Sequence, residues 1–380
     1  MSQTPLRIGI VAGEASGDLL AAGLIAQLKA RFPDAQFVGI AGPKMQALGC
    51  HSLFEMEELS VMGLVEVLSR IRRLLFVRKT LVAYFLNNPV DVFIGVDAPD
   101  FNLGLERKLK VKGIPTVHYV SPTVWAWREK RISKIAKATN LVLSIFPFEK
   151  AVYDKHNIPC EFVGHTLADQ IAVEPDKNAA RKALNLDVNQ KVLAMLPGSR
   201  QSEVATLLDI FLQSAELLNQ HVSDLKVLIP VVNKQRKQQV ESYLKATQPK
   251  VEHRVVIGHS REVMIAADAV LLASGTAALE AMLCKRNMVV AYRLNKMTHQ
   301  MMKWLYKAKY FALPNLLADE QVVPELLQEA VNPHDIAALL QPMLTEANPL
   351  LARFREIHLS LKKGADRQAA SAVAKLLGRV

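Results

Sequence analysis

Cysteine, aromatic residues and long apolar runs are all scarce in this chain of 380 residues. The three cysteines, Cys50, Cys160 and Cys284, are odd in number, far apart and without metal-ligand spacing. They speak against a disulfide framework and a zinc site, and fit a reducing cytoplasm. Cys284 sits in an apolar helix-like stretch and is expected in the core. Aromatics make up 6% of the residues, and the apolar content is mostly Ala, Leu and Val, which suits a buried parallel sheet under helices. No segment reaches ~18 uninterrupted apolar residues, so no transmembrane helix is expected. The first apolar run, Leu6–Val11, meets Gly13 at once, with Glu14 and Asp18 close behind, so no signal peptide is expected either. Low-complexity tracts and the dinucleotide fingerprint Gly-x-Gly-x-x-Gly are absent from the sequence.

What the chain has in excess is positive charge: 47 Lys and Arg against 36 Asp and Glu, a formal net charge of +11. That balance attracts polyanions (nucleic acid, an anionic membrane or phosphorylated substrates) without choosing among them. Arg128–Lys137 is a basic stretch, but no recognised nucleic-acid module accompanies it, and no nucleic-acid partner is expected.

Strand-like runs alternate with helical patterns. They fall at Leu6–Val11, Ala35–Ala41, Val90–Val96, Thr116–Val120, Asn140–Ser144 and Cys160–Val163. They recur at Lys191–Leu196, Lys226–Val232, Arg254–Ile257, Ala269–Leu272 and Met288–Tyr292. This is the βαβ signature of a doubly wound parallel sheet, and it occurs twice. The polar segment Glu174–Asn178 marks a linker within residues 165–190. The expected fold class is α/β: two Rossmann-like domains, 1–170 and 171–345, facing a cleft, then a helical tail, 346–380, that belongs to neither.

Ligands of such sheets sit outside the carboxyl ends of strands. Two strand ends stand out, Leu196-Pro197-Gly198-Ser199-Arg200 and the run from Ala273 to Glu280. Each joins a small-residue turn to a helix start, where backbone N–H groups and the helix dipole favour an anion. Gly198 and Ser199 permit close approach, and Arg200 offers a planar donor fork suited to phosphate; a surface ion pair with Glu203 is the plainer reading. Glu280 lies one to two helical turns beyond Ser274, Gly275 and Thr276, where it can accept both hydroxyls of a ribose. Its apolar flanks make a merely solvated acid the poorer reading. Together the turns suggest a held nucleoside diphosphate.

In the first half, Glu14, Ser16 and Gly17 lie in the turn Gly13–Asp18, where Ser16 either caps the next helix or lines a substrate lip. Asp100 precedes a helical pattern and is expected as its N-cap. Asp97 has no such local task and is either a second turn-forming acid or a general base. Trp125 and Trp127, on the loop from Ser121, either line a sugar or acyl site or anchor the loop. Asn315, within Leu313–Leu317, is a turn residue or fixes a sugar or phosphate group.

The run Leu64–Leu86 carries more apolar residues than one helical face holds, interleaved with Arg70, Arg72, Arg73, Arg78 and Lys79. That surplus suits a helix in a membrane interface, with Val65, Val67, Leu68, Ile71, Leu74 and Leu75 as contacts; the rival reading is a buried helix or an oligomer contact. Lys296–Phe311 is a second, weaker candidate.

In order along the chain, Gly13–Asp18, Asp97–Asn102, Ser121–Trp127, Pro147-Phe148-Glu149, Pro197–Arg200 with Glu203, Ser274–Glu280 and Leu313–Leu317 resemble the lipid-A-disaccharide synthase family over essentially the full length. The resemblance implies a GT-B glycosyltransferase. It implies transfer of 2,3-diacylglucosamine from UDP-2,3-diacylglucosamine to 2,3-diacylglucosamine 1-phosphate (lipid X), with release of UDP, at the cytoplasmic face of the Gram-negative inner membrane. An α-linked donor giving a β product implies one inverting displacement. On that reading Asp97 takes the acceptor hydroxyl proton, Arg200 and the 274–276 helix start stabilise the leaving UDP in place of a metal, and Glu280 holds the ribose. Glu14, Ser16 and Gly17 face the acceptor, and Asn315 resembles a family active-site residue. No metal or other cofactor is expected, an anionic membrane surface is an expected partner, and the oligomeric state stays open, a homodimer included. A UDP-N-acetylglucosamine epimerase or another UDP-sugar transferase would share the UDP turns without needing the basic apolar helix. A non-enzymatic membrane- or RNA-binding protein would need neither Asp97 nor the turns.

Overall fold

A computed structural model describes residues 5–59, 64–122, 131–273, 275–294, 300 and 308–379, with backbone alone for 64–70. It divides into two compact units, Met1–Asp169 with Leu361–Val380, and Gln170–Ser360. The first is built on β1 (Arg7–Ala12), β2 (Gln36–Ile40), β3 (Cys50–Phe54), β4 (Val92–Val96), β5 (Thr116–Tyr119), β6 (Leu141–Ser144) and β7 (Cys160–Phe162), in the order β3-β2-β1-β4-β5-β6-β7. The second holds β8 (Lys191–Leu196), β9 (Leu225–Val231), β10 (Glu252–Ile257), β11 (Ala269–Leu272), β12 (Asn287–Tyr292) and β13 (Glu325–Leu327), in the order β10-β9-β8-β11-β12-β13. The strand pairings are parallel in both sheets. Helices cover such sheets on both faces, which is why central strands such as β4 and β11 are buried along their whole length.

Each sheet reverses its strand order once, between β1 and β4 and between β8 and β11. The register pairs Ala12 with Val96 and Leu196 with Leu272, so the ends of these strands lie level. The turns that leave them carry Gly13 and Glu14, Asp97, Pro197–Arg200 and Gly275. The candidate residues therefore fall at the two topological switch points, where open α/β sheets bind ligands. Edge strands β3 and β13 escape the apolar-run criterion because they are short and partly exposed.

The expected tail 346–380 is not one piece. Its last helix, Ala365–Leu376, packs with the first unit for a local reason: the Asp169 carboxylate accepts hydrogen bonds from the backbone N–H groups of Gly364 (2.9 Å) and Ala365 (2.6 Å), at that helix's start. The helix Leu351–Leu361 lies almost wholly in the second unit, where buried His358 meets Lys285 Nζ at 2.6 Å.

The run from Leu64 is a helix, Leu64–Asn87. Val77, Leu81 and Phe85, spaced by four, are fully buried in a core shared with Phe93, Phe101 and Leu105. Each contributes roughly 1.5–3 kcal/mol by burial. Leu74 packs against the same core, which removes it from the expected membrane set. Ile71, Leu75 and Phe76 are 43%, 48% and 54% exposed, beside exposed Arg72 and Lys79. The side chains of Val65, Val67 and Leu68 lie outside the described residues, as does most of Lys296–Phe311. Among the described residues no helix is long and apolar enough to cross a membrane. The three cysteines are free and buried, and burial pushes each thiol up to about 12.

Candidate active site

In the second unit both small-residue turns line one open pocket of about 510 Å³. From the first turn come Gly198, Ser199 and Arg200, and from the second Gly275, Thr276, Ala277 and Glu280. Gly275 begins the helix Thr276–Leu283 at φ 115°, and a Cβ built there would meet nothing within 4 Å. The glycine is required by its backbone conformation, and the space before it is open to a ligand. Gly275 offers no side chain to cap this helix, and the Ala278 N–H turns back to the Gly275 carbonyl at 3.2 Å. Ser274 itself lies outside the described residues.

The first turn is different. Glu203 Oε2 accepts hydrogen bonds from the backbone N–H groups of Ser199 (3.0 Å) and Arg200 (3.2 Å). A Cβ on Gly198 would lie 2.4 Å from Glu203 Cβ, so the acid is folded back over the turn. The expected N–H cradle is thus filled by the chain's own carboxylate. Beside that carboxylate stands the Arg200 guanidinium, whose side chain is 57% exposed and 3.8 Å from Glu203. The two turns look alike in sequence but are unequal: in one the turn N–H groups are held by Glu203, in the other the acid, Glu280, turns to Arg261.

Glu280 is neither solvated nor unpartnered. Its Oε1 lies 3.2 Å from Arg261 Nε, and its carboxylate borders the pocket. Arg261, with Gly258 and Ser260 of the same pocket, comes from a third strand end that the sequence motifs do not single out. A local signal marks it all the same: β10 stops at Ile257, Gly258 and His259 turn through positive φ, and Ser260 opens the helix Ser260–Ala266.

In the first unit, Asp97 leaves β4 in a left-handed conformation (φ 53°), and Ala98 follows at φ 43°. The Asp97 N–H donates to the Tyr119 carbonyl at 2.8 Å, and its own carbonyl accepts from Asn102 Nδ2 at 2.8 Å. Among the described residues no side chain bonds the half-buried Asp97 carboxylate. The turn-forming and base readings therefore coexist: the backbone makes the turn and the carboxylate is left over.

Four local expectations are corrected. The N-cap of Ala15–Arg31 is Glu14, not Ser16, which is exposed in the first turn. Gly17 is buried against Ala12 and Val96 and lets the helix approach the sheet, so it has no face for an acceptor sugar. The helix Pro99–Lys110 is capped by Ala98, with Pro99 at its first position, and Asp100 instead pairs with Arg131. Asn315 is fully buried with its amide wholly used. Its Nδ2 donates to the Val323 carbonyl (2.9 Å) and Glu325 Oε1 (2.7 Å), and its Oδ1 accepts from the N–H groups of Val322 and Val323 (both 2.8 Å). It braces the segment before β13 and has no donor or acceptor left for a substrate. Of the tryptophan loop, only Ser121 and Pro122 are described; both are buried, and Ser121 Oγ lies 2.8 Å from the Tyr153 hydroxyl.

Comparison with known proteins gives this arrangement a context. The family profile described as Lipid-A-disaccharide synthetase matches residues 8–375. The chain is 56% identical to the lipid-A-disaccharide synthase of Alteromonas mediterranea over 377 residues, covering 98% of this chain and 99% of that protein. It is 55% identical to that of Vibrio vulnificus over 378 residues, covering 99% and 100%. Among solved structures, the glycotransferase of kitacinnamycin aligns over 100% of both chains with TM-score 0.64 and 13% identity. The Methanocaldococcus jannaschii UDP-GlcNAc 2-epimerase, solved with UDP-GlcNAc and UDP, aligns over 98% of this chain and 99% of its own, with TM-score 0.60 and 13% identity. At that identity the structures establish a shared two-domain α/β fold of the GT-B kind. The sequence matches settle the rest: this chain belongs to the lipid-A-disaccharide synthase family.

Proposed function

We propose that the chain is an inverting glycosyltransferase of lipid A biosynthesis. It moves 2,3-diacylglucosamine from UDP-2,3-diacylglucosamine to the 6-hydroxyl of lipid X, giving the β-linked disaccharide 1-phosphate and UDP. Family membership supports the reaction. The observation that carries the site is the pocket in which an uncapped helix start, Arg200 and the Glu280–Arg261 pair converge.

Each unit supplies a distinct part. In the second, the diphosphate meets the helix start after Gly275 and the Arg200 guanidinium. Charge that builds on UDP as the glycosidic bond breaks is stabilised there by fixed donors. Glu280, steadied by Arg261, keeps an oxygen for the ribose hydroxyls. In the first, the Asp97 carboxylate takes the acceptor hydroxyl's proton as the new bond forms, with Glu14 and Ser16 on the acceptor side. Exposed Ile71, Leu75 and Phe76 beside Arg72 and Lys79 fit an anionic lipid surface. Both lipid substrates reside in such a surface, so we place the enzyme peripherally on the cytoplasmic face of the inner membrane.

The test is radiolabelled lipid X with UDP-2,3-diacylglucosamine, read as disaccharide formation. Asp97→Ala should lower kcat by roughly 10²–10⁴, the usual share of a general base, while UDP binding persists. Near-normal turnover would remove Asp97 as the base. Absence of disaccharide with the parent protein, together with epimerisation of UDP-GlcNAc, would replace the reading by the epimerase one.

A further inference from the structure

Beneath the Asp97 turn lies a fully buried polar line that the proposed chemistry does not use. His118 on β5 is in register with Gly95 of β4, and its Nδ1 is 2.7 Å from Glu106 Oε1 on the helix Pro99–Lys110. Both side chains are wholly buried. One helical turn earlier on the same face is Asn102, also wholly buried. Its Nδ2 donates to the Asp97 carbonyl at 2.8 Å and lies 3.4 Å from the carbonyls of Val11 and Val96. This amide ties the ends of β1 and β4 to the turn that bears Asp97.

That turn needs a tie. Asp97 and Ala98 are consecutive non-glycine residues with positive φ, a conformation that persists only where the surroundings over-determine it. Gly95 brings the supporting side chains together: a Cβ there would lie 2.1 Å from Glu106 Oε1 and 2.9 Å from Asn102 Cβ. Among the described residues, three buried atoms of the line lack a partner, Asn102 Oδ1, Glu106 Oε2 and His118 Nε2. Desolvation raises the Glu106 carboxyl above its ordinary range against the opposing pull of His118. Asn102 and Glu106 thus stand one turn apart on one helix face, both against Gly95. Stability does not explain the pair, since well-packed apolar residues of similar volume often serve a core as well or better.

We propose that Glu106 and His118 are positioning residues for the transfer. Through Asn102 they hold the Asp97–Ala98 turn, and with it the Asp97 carboxylate, in the conformation that receives the acceptor proton. The inference rests on Asp97 being the base.

The test compares Glu106→Leu, which keeps volume and loses polarity, with Glu106→Gln, which keeps an acceptor for His118 and a polar group beside Asn102. Disaccharide formation by the full chain is followed, with thermal unfolding and UDP titration alongside. E106L should unfold cooperatively, bind UDP as the parent does and keep KM within about twofold, yet lose at least roughly tenfold in kcat; E106Q should recover to within about threefold of the parent. A folded E106L with kcat within about twofold of the parent overturns the proposal, as does an E106Q no better than E106L. Should E106L not fold, His118→Leu and His118→Asn repeat the comparison, the Asn amide nitrogen taking the place of Nδ1. Asp97→Asn, run in parallel, separates the two readings. An active D97N overturns both, whereas an inactive D97N beside a fully active E106L overturns only this one.

Discussion

Arg200 and Glu203 share one helix start, yet their alanine variants should fail in opposite ways. Arg200 is exposed, and its 3.8 Å approach to Glu203 is a loose surface pair, worth about 0–1 kcal/mol. Deleting it should scarcely move the unfolding temperature. On the proposed function the same guanidinium would make charge-assisted bonds to the phosphates of bound UDP, worth about 1.5–3 kcal/mol. At about 1.4 kcal/mol per tenfold, Arg200→Ala should raise the Kd for UDP roughly 10- to 150-fold. Glu203 closes two backbone N–H groups at 3.0 and 3.2 Å. Losing such a cap costs about 0.5–2 kcal/mol. For a unit of this size that lowers Tm by about 2–4 °C per kcal/mol. Glu203→Ala also frees two donors for phosphate, so UDP affinity should fall less than in R200A. Calorimetric titration with UDP and differential scanning calorimetry on the same preparations give both numbers. An R200A Kd within about threefold of the parent, or an R200A Tm below that of E203A, would refute the division of labour.

Three further outcomes follow from the same geometry. Asn315→Ala should lower the unfolding free energy by roughly 2–4 kcal/mol, because the N–H groups of Val322 and buried Val323 lose their acceptor and Glu325 one of its donors; an unchanged denaturant midpoint would return Asn315 to the substrate. His165 is buried, and its Nδ1 accepts the Leu167 N–H at 3.1 Å. Desolvation holds its pKa down at about 4, against an ordinary histidine value of 6.5. Between these values the unfolded chain binds the proton and the folded one does not. The stabilisation is therefore present above pH 6.5 and lost as pH falls toward 4, by roughly 3 kcal/mol. Unfolding titrations of His165→Asn should flatten that slope, and an unchanged slope would exonerate the histidine. Replacing Ile71, Leu75 and Phe76 with Ser should weaken binding to anionic vesicles at unchanged Tm, whereas Val77→Ser should lower Tm by burying a hydroxyl in the core; equal losses of Tm would show that the exposed face is packed.

The sheets were legible because central parallel strands are buried on both faces and read as unbroken apolar runs. The edges β3 and β13 carry no such pattern. The switch-point turns were legible too, since strand, small residues and helix start follow one another in the chain. What the sequence conceals is which polar groups are already engaged, because the partners are distant or conformation-dependent. Asp18, close behind the first turn, caps the helix Pro43–Ala47 through the N–H groups of Lys44 and Met45, both at 3.0 Å. Asn102 acts across β1 and β4. Asp100 was misplaced as a cap because the left-handed pair Asp97–Ala98 starts the helix early, with Pro99 at a first position that suits it.

The inequality of the two phosphate turns is the instructive case, because spacing contains it. Arg200 is the N-cap of its helix and Glu203 stands three residues on, the position from which a carboxylate reaches back to the N-cap N–H. Gly275 is the N-cap of the other helix, and Glu280 stands five residues on, too far along to reach back. An acid at the third position holds the N–H groups of its own turn; an acid at the fifth faces Arg261 and the pocket instead. Two motifs that read alike as strand, turn, helix and acid thus differ in what they leave for a ligand. On the proposed function the diphosphate would sit at the turn of Gly275, with Arg200 reaching it from the turn whose N–H groups Glu203 already holds.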